Sequence, residues 1–235
     1  MKRILEICCD SLASALIAER AGADRIELCE NLPEGGVTPS AGKIKLLKKH
    51  LQIPVVVLIR PRIGDFCYSD WEIEVMLEDI AEAKALGADG IVAGALHPNL
   101  HLQRAHTKRL MEASYPLPFI FHKAFDVCKD PIIALEQLIE MGVERILTSG
   151  QAATALEGND FLKMLLKAAQ DRIQIMAGGG VRPANIGRLK EIDGMLHFHS
   201  AAKKWIQSAV NEQERWYAVD EEMVKKMRQI LDEDS

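Results

Sequence analysis

Apolar residues follow two alternating rhythms along the chain. Short runs at 3–8, 24–29, 54–60, 89–94, 117–122, 144–149, 172–177 and 193–198 have the length of buried strands. Between them lie segments with helical spacing. Ile73, Met76, Leu77, Ile80 and Ala83 form one apolar stripe, and Ile132, Leu135, Leu138 and Ile139 another. Ser11, Thr38 and Asp130 are placed as helix caps, the last two followed by Pro39 and Pro131 at a first helical position. Residues 199–217 read as irregular or as an extra helix. A closing helix over about 218–232 carries Val219, Met223, Met227, Ile230 and Leu231 on one stripe.

An internal echo supports this division. Ala21-Gly22-Ala23-Asp24-Arg25-Ile26 returns as Leu86-Gly87-Ala88-Asp89-Gly90-Ile91 and as Met141-Gly142-Val143-Glu144-Arg145-Ile146, with a faded copy at Asp193-Gly194-Met195. Each Gly can end a helix in the left-handed conformation, and an apolar strand follows. Eight strand–helix pairs of this kind predict an α/β fold, a closed (β/α)8 TIM barrel spanning residues 1–235 as a single domain.

Composition agrees. Hydrophobic residues make up 48% of 235 and aromatics only 5%, which suits an aliphatic barrel. The net charge of -5 and the absence of a basic stretch with interleaved aromatics argue against nucleic acid. Glu6 interrupts any early apolar run, and no segment has the length of a membrane span. Five cysteines without a Cys-x-x-Cys pair suggest reduced thiols and a cytoplasmic protein.

Side chains alternate along a strand, and the face toward the helices must be apolar. That rule sends Ile4, Glu6 and Cys8 inward from the first strand and Arg25, Glu27 and Cys29 from the second. Val56, Leu58 and Arg60 follow from the third, Ile120 and His122 from the fifth, and Met195, His197 and His199 from the eighth. The fourth, sixth and seventh strands are ambiguous and left undecided. Ionisable groups thus gather inside, near the strand ends where barrel enzymes carry their sites. Glu6, Glu27 and Arg60 are expected to form a charge network, whether structural or functional.

Three features carry candidate chemistry. Gly178, Gly179 and Gly180 after the seventh strand and Ser149 after the sixth can cradle an anion, or simply make tight turns. Arg60 and Arg62 flank Pro61 and can present forked donors to a carboxylate or phosphate. His122 can move a proton near neutral pH, assisted by His197, Asp126, Glu6 or Glu27. Lys123 alternates out of the interior, which argues against Schiff-base chemistry. Cys8 and Cys29 lie inward at about one level on adjacent strands; two soft thiolates suit Cu(I), and two small buried side chains suit a core.

These stretches resemble the CutC family, named copper homeostasis proteins. The likeness runs in order through Glu6-Ile7-Cys8, Arg25-Ile26-Glu27-Leu28-Cys29, Gly35-Gly36-Val37-Thr38-Pro39-Ser40 and Ile59-Arg60-Pro61-Arg62-Ile63-Gly64-Asp65-Phe66. It continues through His122-Lys123-Ala124-Phe125-Asp126, Arg145-Ile146-Leu147-Thr148-Ser149-Gly150, Gly178-Gly179-Gly180-Val181 and His197-Phe198-His199-Ser200. Lys123 stands where the family usually has Arg. The resemblance implies a cytoplasmic barrel, often a homo-oligomer, with a role in copper tolerance and Cu(I) binding through cysteines. The residues themselves leave a second reading open: an enzyme acting by acid/base chemistry on a small phosphorylated or carboxylated metabolite.

Overall fold

The computed structural model describes residues 2–211 and 213–233. Its strands β1 (Ile4–Cys9), β2 (Arg25–Leu28), β3 (Val55–Leu58), β4 (Gly90–Ala93), β5 (Phe119–Phe121), β6 (Arg145–Thr148), β7 (Gln174–Ala177) and β8 (His197–Ser200) close into one parallel barrel in sequence order. The helices are α1 (Leu12–Arg20), α2 (Ala41–His50), α3 (Asp70–Ala85), α4 (Arg104–Ser114), α5 (Pro131–Met141), α6 (Asn159–Ala169), α7 (Pro183–Lys190) and α8 (Glu221–Asp232). The echoed glycines do what their spacing predicts: Gly22, Gly87, Gly142 and Gly194 all have positive φ.

Alternation sorts the barrel into two cores. Leu5, Ile7, Ile26, Leu28, Val55, Val57, Phe119, Phe121 and Phe198 face the helices in a large apolar cluster. Ile91, Ala93, Ile146, Ile175 and Ala177 join it, which settles the three undecided strands. A small inner cluster holds Cys8, Cys29, Val56, Leu58, Val92 and Ile120. Full burial of such an aliphatic side chain contributes about 1.5–3 kcal/mol, so the outer cluster dominates stability.

Several local expectations change. Much of the segment read as irregular or helical is instead an antiparallel strand pair, β9 (Lys203–Gln207) and β10 (Arg215–Val219). Cross-strand pairing explains it: Trp205 stacks on Tyr217 with centroids 3.8 Å apart, Arg215 lies over Trp205 and Lys203 over Tyr217. The last barrel strand begins at His197 rather than 193, because Gly194 turns the chain first. Met195 therefore packs in the outer core, not inside. Ser11 caps α1 as expected, but Ser40 rather than Thr38 caps α2. Thr38 Oγ1 instead receives the Arg60 N–H and donates to the Arg60 carbonyl, tying the second loop to the third. The stripe on α5 is narrower than its spacing suggests, since Ile132 is exposed.

Candidate metal centre

Glu6 is the most buried charge in the barrel, 1% exposed. The parallel register places Arg25 and His199 opposite it on the flanking strands. Arg25 Nε donates to Glu6 Oε2 at 2.5 Å, and His199 Nδ1 donates to Oε1 at 2.7 Å. Burial opposes the charge, but the Arg25 guanidinium and the His199 bond hold the carboxyl far below its usual range. The expected Glu6–Glu27–Arg60 network thus keeps its two carboxylates, both facing His199, but takes Arg25 in place of Arg60. Arg60 lies beyond the end of β3, where its guanidinium donates to the carbonyls of Gly36 (2.9 Å) and Gly64 (2.6 Å). Gly36 has φ +87, and a Cβ there would stand 2.7 Å from Leu58, so only glycine lets the loop lie this close.

Above Glu6, the ends of β1, β2 and β8 bring three different donors together. Atoms of Cys8, Glu27 and His199 all lie within 4.8 Å of one another. Cys8 Sγ donates to Glu27 Oε1 at 3.5 Å, while the buried Glu27 Oε2 has no hydrogen-bond partner. Cys29 Sγ stands 3.5 Å from Cys8 Sγ, an S–H···S hydrogen bond far longer than a disulfide bond. Burial raises the Glu27 carboxyl. The Cys29 contact and burial push the Cys8 thiol well up. His199 moves the other way from a typical buried imidazole: burial opposes its charge, but Glu27 and Glu6 raise its pKa above the ordinary value. With Nδ1 committed to Glu6, Nε2 is the ring nitrogen left for a ligand. A carboxylate holding the far side of an imidazole is the usual support of a metal-binding histidine.

This group forms one wall of a cavity of about 370 Å³ at the C-terminal mouth of the barrel. Leu32, Leu58 and Phe66 give it an apolar side, and Gly179, Gly180 and Lys203 part of its rim. His122 lines it too. Its Nδ1 accepts the Ala124 N–H at 3.2 Å, so the proton sits on Nε2, which is buried without a partner. Burial, aided by nearby Arg60, depresses its pKa to about 3, so His122 is neutral at physiological pH. Lys123 also lines the cavity, contrary to the alternation argument. Strand β5 ends at Phe121 and a 3-10 turn over Lys123–Val127 follows, so the two-residue period no longer applies.

Other residues singled out in the sequence lie apart from this mouth. His197 is two residues below His199, opposite Ile4, and does not line the cavity. Asp126 is saturated by Thr148 Oγ1, by the Ser149 N–H and by the Gln151 N–H, clamping the loop after β6. Ser149 Oγ turns to the Ala152 carbonyl at 2.7 Å. Arg62 is held by Glu72, Asp65 and the Cys67 carbonyl. Gly178 lies against Leu147 and His199 under the loop rather than at the rim.

Known proteins resemble this chain over most of its length. The human copper homeostasis protein cutC homolog is 51% identical over 200 residues, which are 85% of this chain and 73% of that protein. A CutC family protein of Glaesserella parasuis is 48% identical, over 88% of this chain and 85% of its own. A crystal structure of CutC from Streptococcus agalactiae superposes with a TM-score of 0.81 at 37% identity, covering 85% of this chain and 98% of that one. An aldolase at 16% identity and TM-score 0.62, covering 84% of this chain and 89% of its own, shares the barrel alone. The CutC family model matches residues 3–204, the whole barrel from the start of β1 through the end of β8 with its cysteines, carboxylates and histidine. By that match and by these identities, the chain belongs to the CutC family.

Proposed function

We propose that this protein binds Cu(I) at the barrel mouth and serves copper homeostasis, with Cys8 and His199 as ligands and Cys29 as the second sulfur. The observation that carries this reading is the meeting of Cys8, Glu27 and His199 within 4.8 Å, beside a second thiol. Cu(I) is soft and favours thiolate and imidazole over carboxylate. Glu27 accordingly serves as the acceptor of the Cys8 S–H rather than as a ligand, and Glu6 orients His199. The relatives' names as copper homeostasis proteins point the same way. Five free cysteines and no helix long and apolar enough to cross a membrane, among the described residues, suit a reducing cytoplasmic setting.

The proton inventory gives a test. In the metal-free protein Cys8 holds its thiol proton, and His199 is an imidazolium up to a pH above 6.5. Metal binding displaces the protons of its thiol and imidazole ligands, so affinity rises with pH. Competition against a Cu(I) chelator, corrected for the chelator's own protonation, is expected to give one tight site. Affinity should rise with pH between 6 and 8, more steeply below the His199 transition than above it, because the imidazolium then has one further proton to give up. Affinity independent of pH between 6 and 8, or a preference for Zn(II) over Cu(I) beyond the usual order of affinities, would exclude this ligand set.

A further inference from the structure

The cavity beside the metal-binding group is cationic although the chain is acidic overall. Its lining carries Arg60, Lys123, Arg182 and Lys203 against one carboxylate, Glu27, in a protein of net charge -5. Arg60 is fixed by backbone carbonyls, which do not cancel its charge. Lys203 lies over the Tyr217 ring, 4.0 Å from its centroid. Lys123 and Arg182 make no ion pair among the described residues. A bare copper ion gains nothing from such a field; an anion does. Deeper in the same cavity the neutral His122 keeps a buried Nε2–H without an acceptor. A buried donor left unmet costs about 1–3 kcal/mol, which a ligand oxygen would relieve.

We infer that this cavity is a binding site for a small organic oxyanion, a carboxylate or phosphate whose charged head lies between Lys123 and the Gly179–Gly180 turn and whose oxygen accepts from His122. Its apolar part runs along Leu32, Leu58 and Phe66. The volume, about 370 Å³, is at the small end of ligand pockets, which fits a metabolite of few carbons. Lys123 Nζ lies 3.7 Å from where a Cβ on Gly179 would stand, so the ammonium and the glycine turn face one space. The inference concerns the metal-free protein and does not depend on copper occupying the neighbouring wall.

The experiment is a thermal-shift and calorimetric titration of metal-free protein with inorganic phosphate and, separately, with propionate, at constant ionic strength. Saturable stabilisation by one of them is expected, and the one that saturates identifies the head group. Lys123→Met, at an exposed position, is expected to fold normally and weaken that binding at least about tenfold. Lys129→Met, which removes an exposed cation outside the cavity, should leave it unchanged. The His122 ring Nε2–H resonance should shift on saturation. If neither anion binds saturably, or Lys123→Met binds as tightly as the parent, the site is not there. Cu(I) affinity measured on the same Lys123→Met sample is expected to remain within about threefold, so loss of anion binding and loss of the copper site are told apart.

Discussion

Cys8→Ser is expected to weaken Cu(I) binding by more than about a hundredfold, and Cys29→Ser by about tenfold. The ranking follows from position. Cys8 lines the cavity and faces both Glu27 and His199, whereas Cys29 is fully buried behind it and touches the site through a single sulfur–sulfur contact. A hydroxyl is a hard donor that keeps its proton at neutral pH, so serine supplies neither the softness nor the charge that Cu(I) takes from a thiolate. Serine is nearly isosteric, and its hydroxyl can donate to Glu27 as the thiol does, so the fold should survive. Chelator competition on the two variants, with circular dichroism as the fold control, checks both statements. Equal losses would make the two sulfurs equivalent ligands; parent-like affinity in Cys8→Ser would remove the site from this wall.

Arg25→Met is expected to destabilise the protein by about 3 kcal/mol near neutral pH. Glu6 is buried and ionised because Arg25 and His199 face it; removing the guanidinium leaves the charge with one partner. Breaking a buried ion pair from one side typically costs about 3–5 kcal/mol, and the surviving His199 bond places this case at the lower end. The pH dependence has a definite sign. A carboxyl depressed by folding contributes stability above its unfolded pKa, about 4.5, and loses it as pH falls toward the folded value. In Arg25→Met the folded Glu6 pKa rises, so that acid-sensitive contribution shrinks and the parent–variant difference narrows below pH 4.5. Urea denaturation of parent, Arg25→Met and the double variant Arg25→Met/Glu6→Gln across pH 3–8 checks this. The double variant should recover most of the loss, since its neutral amide no longer needs a cation. A difference that persists undiminished at pH 3 would mean that the guanidinium acts through packing alone.

How much of this was legible in the sequence depended on whether one strand face was purely apolar. Leu5/Ile7, Ile26/Leu28 and Val55/Val57 can only face helices, so Glu6, Cys8, Glu27 and Cys29 had to point inward, and they do. Strand β4 is apolar on both sides and β6 mixes polar with apolar residues on each, so their facing, with that of β7, waited for the closed barrel. The partner of Glu6 was misplaced because parity tells direction but not level. Register sets Arg25 opposite Glu6, while Arg60 has already left β3. The histidine that matters is His199 rather than His197, because the turn at Gly194 delays β8 by four residues and lifts His199 to the level of Glu6. Lys123 escaped for the complementary reason, since alternation fails once a strand turns into a 3-10 helix. Asp126 and Ser149 are fixed by loop-to-loop hydrogen bonds that no periodicity announces.

The most direct test of a copper site at this mouth is X-ray absorption at the copper edge of protein loaded with one equivalent of Cu(I). Sulfur and imidazole-nitrogen scatterers are expected together, with the sulfur contribution reduced in Cys8→Ser and the imidazole contribution lost in His199→Phe. A spectrum that is the same in all three proteins, or one without sulfur, would contradict it.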